Sequence, residues 1–237
     1  MALAIDLAVA KTHKYASRDS GDTAELVERP GGGFSIVMVD GQGTGAGAKA
    51  LSMLLTSKAV ALLKDGVRDG AVARAVNDVL FAYRLGKVSA ALDILSVDLK
   101  ARSVVVTRND DTPLLIRTGD EWLERTGKVD PVGYSRETRP TVYHFPAEIG
   151  LAICLFTDGV LHAGSKASRS AFEVLPFLRE RASTETSASA IANAVLQEAV
   201  ARDSGRPGDD MTVVSLTLTS HREEPLVRRL EVFVPLH

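Results

Sequence analysis

Acidic residues next to glycine recur at four places in this sequence. They are Asp22 in SGD, Asp40 in VDGQG, Asp158 in TDG, and the pair Asp209 and Asp210 in GDDMT. Carboxylates that converge without cations repel one another and raise one another's pKa, and a bound divalent cation removes that repulsion. Hard oxygen donors favour magnesium or manganese, and no set of His and Cys residues competes for zinc. The pattern therefore predicts a centre of Mn²⁺ or Mg²⁺ ions.

The chemistry open to such a centre is hydrolysis of a phosphate ester. Two divalent ions about 3.5–4 Å apart can share a water and lower its pKa into the neutral range, so that the water attacks phosphorus in line. No protein nucleophile is then needed. The five histidines show no motif that couples them to a serine or cysteine, and the one cysteine, Cys154, lies in the apolar run LAICLF, which is typical of a buried thiol.

Strand-like segments must position these carboxylates. The continuous apolar run 34–39 predicts a strand buried on both faces, and it ends at Asp40. A second apolar run, 151–156, precedes Asp158, and the segment 209–218 begins with the acidic pair. Strand ends hold side chains on a rigid scaffold, while neighbouring glycines let a ligand approach the backbone.

The order of elements indicates an α+β fold. Apolar stripes predict two helices after the first strands, marked by Leu51, Leu55 and Leu62 and then by Val72, Val76, Leu80 and Tyr83. Strands follow, then two more helices near 169–181 and 187–202, then a strand. This block order differs from the alternation of a parallel βαβ sheet, and it favours antiparallel sheets with helices outside.

Composition narrows the class of protein. The chain has 237 residues, 45% of them hydrophobic, and a net charge of −2. It can bury a large core, and it carries no broad positive field for nucleic acid or an anionic membrane. The first residues lack the basic region of a signal peptide, and no run reaches the 18–20 or so apolar residues of a membrane span. These features predict a cytoplasmic protein with no nucleic-acid or membrane partner.

The acidic motifs together resemble those of the PPM-type metal-dependent serine/threonine protein phosphatases. The set comprises SGD at 20–22, DGxGxG at 40–45, FTDG at 156–159 and DDMT at 209–212. It is most similar to the SpoIIE-like branch, which includes RsbU-like and RsbX-like stress-response phosphatases. The resemblance implies a four-layer αββα sandwich of two antiparallel sheets flanked by helix pairs. It covers residues 1–220, and 221–237 is left as a C-terminal extension, expected to add a strand or an oligomer contact.

The resemblance also implies roles for individual residues in a centre of two Mn²⁺ or Mg²⁺ ions. Asp40 would bridge both metals, and the backbone carbonyl of Gly41 would bind one of them. Asp22 would contact the centre directly or through water. Asp158 and Asp209 would hold the second metal. A water that bridges the ions would attack the phosphorus.

Asp209 is preferred to Asp210 because the family ligand is the first residue of the acidic pair. Asp210 would support it or contact a water. Arg18 lies near the place where the eukaryotic branch has a phosphate-binding arginine, although that arginine has no secure counterpart here.

The implied substrates are phosphoserine and phosphothreonine proteins. In this branch they are usually STAS-domain proteins, which act as anti-sigma-factor antagonists or belong to a stress-sensing complex. We expect no regulatory domain before the phosphatase motifs, an expectation that favours a stand-alone, RsbX-like subtype.

Two other functions remain open from the sequence. The first is a phosphatase fold that has lost activity and only docks a partner. The second is a nucleotide-binding loop at Gly41–Gly47, because a strand, a glycine-rich loop and a helix can cradle phosphates. Against the second, residues 48–64 lead into another helix instead of a second strand, and no GK[ST] follows the glycines.

Overall fold

Two antiparallel sheets lie face to face in the computed structural model, which describes residues 2–165, 170–181, 187–221, 229 and 231–233. The strands are β1 (Ala2–Thr12), β2 (Asp22–Glu28), β3 (Gly33–Gly41), β4 (Ala90–Asp98), β5 (Ser103–Asn109), β6 (Leu114–Thr118), β7 (Glu121–Arg125), β8 (Thr141–Pro146), β9 (Ala152–Phe156) and β10 (Met211–His221). Sheet A has the order β1-β10-β9-β6-β7, and sheet B has the order β2-β3-β4-β5-β8. The predicted pair of antiparallel sheets is confirmed.

Helices cover the outer face of each sheet. They are α1 (Gly45–Lys64), α2 (Asp69–Arg84), α3 (Asp158–Leu161), α4 (Val174–Arg181) and α5 (Ala188–Arg202). α1 and α2 pack on sheet B, and α4 and α5 pack on sheet A. The four layers therefore run α, β, β, α, as the family resemblance implies.

Strand β3 shows why its sequence is apolar without alternation. Val37 and Val39 pack against α1 and α2, whereas Ile36 and Met38 pack between the sheets. All four side chains are buried, because a central strand of a covered sheet has no face in water. Asp40 follows Met38 by two positions and so lies on the face that looks toward sheet A.

The fold lacks the parallel strands that a dinucleotide-binding interpretation of the glycine loop requires. β3 and β4 are antiparallel neighbours, with Gly41 opposite Ala90, and α1 and α2 connect them. A dinucleotide cradle requires two parallel strands joined by a crossover helix. The loop after Asp40 instead turns the chain from the end of β3 into α1.

Two details of the helices differ from expectation or need comment. Tyr83, expected on the apolar stripe of α2, is 65% exposed, because it lies in the last turn, where its ring contacts Arg84. α1 is long and apolar enough to cross a membrane by length and composition alone. Its residues Leu51, Leu55 and Leu63 pack on sheet B, as those of a core helix do.

The end of the chain is described only in part. β10 ends at His221, close to the predicted domain boundary at 220. The C-terminal extension predicted at 221–237 falls largely outside the described residues. The helix predicted at 169–181 begins later than expected, at Val174, and the described residues 170–173 before it are not helical.

A buried ionic cluster joins the two sheets near the carboxyl end of β9. Arg108 on β5 lies opposite Asp93 on β4 and donates to both of its carboxylate oxygens, at 2.7 and 3.0 Å. The same guanidinium donates to Asp110 and to the carbonyl of Thr112. The Thr112 hydroxyl in turn donates to the carbonyl of Phe156 on sheet A, at 3.1 Å.

We predict that Arg108→Met destabilises the protein by about 3–5 kcal/mol, because it leaves two buried carboxylates without their cation. Urea unfolding followed by circular dichroism measures the loss. The control is Arg139→Met, which removes an exposed ion pair with Glu137 and should cost less than about 1 kcal/mol. Equal stability of the two variants would contradict this role for Arg108.

Candidate metal centre

Asp22 and Asp40 stand directly opposite each other at the ends of β2 and β3. Opposite residues of an antiparallel pair share one face of the sheet, with their Cβ atoms about 4.5–5.5 Å apart. Like charges in that position destabilise a sheet, so the pairing requires protonation or a bound cation. Asp22 and Asp40 are 18 positions apart in sequence, and the hairpin β2–β3 makes their carboxylates neighbours.

Two threonine hydroxyls from sheet A orient Asp22. Thr157, which follows β9, and Thr212 on β10 donate to Asp22 Oδ2 at 3.0 and 2.6 Å. The backbone N–H of Thr212 also donates to the Thr157 hydroxyl, which fixes the donor direction of that hydroxyl. Asp22 Oδ1 is buried and has no hydrogen-bond partner. A buried carboxylate oxygen without a partner is costly, and this one is free to accept a cation.

Gly159 brings Asp158 and Asp209 together. Asp158 begins α3, and Asp209 lies just before β10. A Cβ at Gly159 would lie 2.0 Å from the carbonyl oxygen of Asp210 and 3.3 Å from the Cβ of Asp209. Only glycine permits that approach, which explains the glycine of the TDG motif.

Gly41 serves the same purpose at the end of β3. A Cβ there would lie 2.5 Å from the backbone oxygen of Ala48 in α1. The backbone that follows Asp40 therefore packs tightly against the first turns of α1. Gly41 is thus needed for packing, independently of the metal-binding role predicted for its carbonyl.

Asp210 has a structural environment unlike that of the other four acids. Its two carboxylate oxygens accept from the backbone N–H groups of Lys14 and Gly21, at 2.8 and 2.7 Å. The side chain thus ties the β1–β2 connection to the start of β10. This geometry suits the supporting role that the sequence assigns to Asp210 more than the role of a direct ligand.

The electrostatics of the site centre on Asp40. Burial, followed by the carboxylates of Asp22, Asp158, Asp110 and Asp209 in that order, raises the pKa of Asp40 to about 9. Four carboxylates thus act on this one residue. Among them are the three that the sequence places with Asp40 in the centre.

The pKa shifts of Asp22 and Asp158 have related causes. Burial raises the pKa of Asp22 to about 6, although the hydrogen bonds from Thr212 and Thr157 oppose the shift. Burial, followed by Asp209, raises the pKa of Asp158, and a hydrogen bond between the Asp158 and Asp40 side chains lowers it. The Asp40 and Asp158 carboxyl groups therefore act on each other, although they follow strands of different sheets.

These residues fit a magnesium- or manganese-type centre. The donors are hard carboxylate oxygens, one of them buried without a partner, at a place where negative charge accumulates. Among the described residues, no three His, Cys, Asp or Glu side chains are gathered closely enough to enclose one ion. Mg²⁺ does not need such a cage, because it keeps several waters and binds through one or two carboxylates.

Several residues of the site carry no signal that sequence analysis used. Thr157 and Thr212 hold Asp22, and both are part of the acidic motifs, as the Thr of FTDG and of DDMT. Asp110 contributes to the shifts of Asp40 and Asp158, and it lies in the turn NDDT, which has no glycine. Arg18, in contrast, is exposed, and no hydrogen bond or ion pair to another described residue is found for it.

Two lysines also approach the site. Lys11 and Lys49 each place Nζ 3.0 Å from the backbone oxygen of Asp22. Partial burial of its ammonium and then the charge of Lys49 lower the pKa of Lys11, while Asp22 and Asp210 oppose the change.

Comparison with known proteins gives a family match over most of the chain. The family model described as Stage II sporulation protein E (SpoIIE) matches residues 30–219, which is most of the chain. The chain belongs to the SpoIIE family. The match includes Asp40, Asp158, Asp209 and Asp210, and it begins after Asp22.

Individual relatives of this SpoIIE-family chain are distant in sequence and close in fold. Stage II sporulation protein E of Priestia megaterium is 22% identical over 213 residues, which cover 90% of this chain and 36% of that protein. The chain therefore spans about a third of the length of that curated relative. A structure of the PP2C phosphatase domain with a fragment of the regulatory domain of SpoIIE from Bacillus subtilis superposes with a TM-score of 0.80 at 22% identity, covering 93% of this chain and 65% of that one.

A second structural relative contains a metal. The structure of RsbX in complex with magnesium superposes with a TM-score of 0.68 at 14% identity, covering 91% of this chain and 96% of that one. At this identity the likeness shows that the SpoIIE-family chain shares the fold of RsbX.

We predict that Gly159→Ala weakens Mn²⁺ binding and destabilises the protein by about 1–3 kcal/mol, because the added methyl group must push Asp158 away from the 209–210 backbone. Calorimetric titration with Mn²⁺ and urea unfolding measure the two effects. The control is Gly127→Ala, where an added Cβ meets nothing within 4 Å. Wild-type Mn²⁺ affinity in Gly159→Ala would contradict the proposed packing.

We predict that the metal-free protein loses stability as pH rises from about 4 to about 9. The folded-state pKa values of Asp22, about 6, and Asp40, about 9, lie above the ordinary value of 3.8. The folded state therefore holds more protons than the unfolded state in this window, and stability falls as those protons leave. Unfolding in EDTA at several pH values measures the slope. Asp40→Asn should flatten it, and a slope that is unchanged in that variant would exclude Asp40 as its source.

Proposed function

We propose that this chain is a Mn²⁺- or Mg²⁺-dependent protein phosphatase that hydrolyses phosphoserine or phosphothreonine on a partner protein. The observation that carries the proposal is the meeting of carboxylates from both sheets around Asp40, beside a buried Asp22 oxygen that lacks a partner. Membership of the SpoIIE family and the fold shared with phosphatase domains support the same conclusion.

Different residues of the chain would hold the metal ions and orient the acids that bind them. Asp22, Asp40, Asp158 and Asp209, with the carbonyl of Gly41, would hold two ions. The bound ions would supply the Lewis acidity that lowers the pKa of a shared water and neutralises the phosphate. Thr157 and Thr212 orient Asp22 through their hydroxyl groups.

The position of the site suits a protein substrate. Asp158 is exposed, and Asp40 and Asp209 are half-buried. A phosphorylated side chain on the surface of another protein can therefore reach these acids without entering a closed cavity. A small-molecule site would instead bury most of its ligand.

For the partner, we propose a STAS-domain protein, either an anti-sigma-factor antagonist or a component of a stress-sensing complex. The support is the resemblance of the acidic motifs to the RsbU-like and RsbX-like phosphatases, whose substrates belong to that class. Sigma-factor regulation in the cytoplasm is the biological role that accompanies such a partner.

We predict that Asp40→Asn removes most Mn²⁺ binding and lowers phosphate release by at least about a hundredfold, because the carboxylate that would hold the ions is lost. The variant should still fold, since it removes a carboxylate that its neighbours repel. Mn²⁺ titration, turnover of p-nitrophenyl phosphate and thermal unfolding test these points. The control Asp19→Asn changes an exposed acid of the same loop region and should behave as wild type.

The activity itself is tested by phosphate release from p-nitrophenyl phosphate and from a phosphorylated STAS-domain protein. Each assay is run with Mn²⁺, with Mg²⁺ and with EDTA. Metal-dependent release from both substrates is the expected result. No release from either with metal supplied would overturn the phosphatase proposal and favour an inactive binding module. Release from p-nitrophenyl phosphate and from phosphoserine peptides, with no turnover of the STAS-domain protein, would overturn only the partner.

A further inference from the structure

Two ammonium groups converge on one backbone oxygen beside the candidate metal centre. Lys11 on β1 and Lys49 on α1 both donate to the carbonyl of Asp22, each at 3.0 Å. The two nitrogens are therefore separated by no more than twice that distance. Lys49 also donates to the Thr23 hydroxyl at 3.1 Å.

The charges of Asp22 and Asp210 act on Lys11 without a direct ion pair. Among the described residues, neither lysine forms an ion pair with a carboxylate. Each ammonium has three N–H donors, so two on Lys11 and one on Lys49 remain beyond the bonds described. Two like charges at this separation repel, and an anion placed between or beside them relieves the repulsion.

The lysines are fixed next to residues of the site. Lys11 lies opposite Thr212 across the β1–β10 ladder, and the Thr212 hydroxyl holds Asp22. Lys49 follows Ala48, whose backbone oxygen packs against Gly41. Both lysines therefore border the carboxylate centre, one from β1 and one from α1.

The charge balance of the proposed reaction calls for additional cations, and these lysines can supply them. The four carboxylates proposed as ligands balance the four positive charges of two divalent ions, and the carboxylates of Asp110 and Asp210 act on the same site. A phosphate monoester brings a charge of about −1.5 to −2. Further cations are then needed to hold it, and charge-assisted hydrogen bonds are the strongest available.

We propose that Lys11 and Lys49 bind the phosphoryl group of the substrate beside Asp22. The inference rests on the proposed phosphatase function and adds to it the residues that recognise the phosphate. The ligand class is a tetrahedral phosphate monoester dianion, or inorganic phosphate as product. Both ammonium groups hold it through direct hydrogen bonds and leave the Asp22 carbonyl only partly when it binds.

The test compares Lys11→Met, Lys49→Met and the double variant with Lys58→Met, an exposed lysine on the same helix as Lys49. Inorganic phosphate is titrated by calorimetry into each Mg²⁺-loaded protein, and KM and kcat for p-nitrophenyl phosphate are measured. Each single variant should weaken phosphate binding about tenfold, the loss of one charge-assisted hydrogen bond, and raise KM more than it lowers kcat. Lys58→Met should match wild type.

Charge-preserving variants separate binding from a structural role. Lys11→Arg and Lys49→Arg should restore most of the phosphate affinity. If a Met variant fails to unfold cooperatively, a Gln variant, which still donates to the Asp22 carbonyl without charge, replaces it. Wild-type phosphate affinity in the double variant would overturn the inference, as would a higher KM for a phosphoprotein with phosphate affinity unchanged. An inactive wild type would instead overturn the phosphatase proposal.

Discussion

Mutual repulsion among carboxylates at one end of the sandwich is the constraint on which the rest of this structure depends. Asp22 and Asp40 come from sheet B, and Asp158 and Asp209 adjoin strands of sheet A. The fold holds them near one another, and the resulting rise in carboxyl pKa is largest at Asp40. Hydrophobic packing of the two sheets supplies the stability that keeps this arrangement together. A bound cation would attract each of these carboxylates and so offset their mutual repulsion.

Two kinds of local feature make the arrangement possible. Glycines at 41 and 159 allow backbone segments to approach more closely than any side chain would permit. Threonine hydroxyl groups fix the side chain of Asp22, and backbone N–H groups fix the side chain of Asp210. An ionic cluster, in which the Arg108 guanidinium pairs with two carboxylates, ties the sheets together close to the site.

The sequence predicts the acids at the strand ends better than it predicts the side-chain contacts between the two sheets. Asp40 and Asp158 were found because each follows an apolar run and precedes a glycine, which are local signals. Thr157 and Thr212 were missed because their value depends on how sheet A stacks on sheet B, which no periodicity encodes. Asp110 was missed because it looks like one acid of an ordinary polar turn. Tyr83 kept the helical period of α2 but lies beyond the covered part of the helix.

The hydroxyl bonds from Thr157 and Thr212 to Asp22 have a consequence for the whole domain. They bridge the interior gap between the sheets, so the distance between the candidate ligands on opposite sides is set by the thickness of the sandwich. Thickness in turn depends on the volumes of side chains such as Ile36, Leu95 and Leu216, which fill that gap. In the proposed metal centre, the affinity for ions would therefore depend on core packing. Evolution can adjust it through apolar residues that never contact an ion.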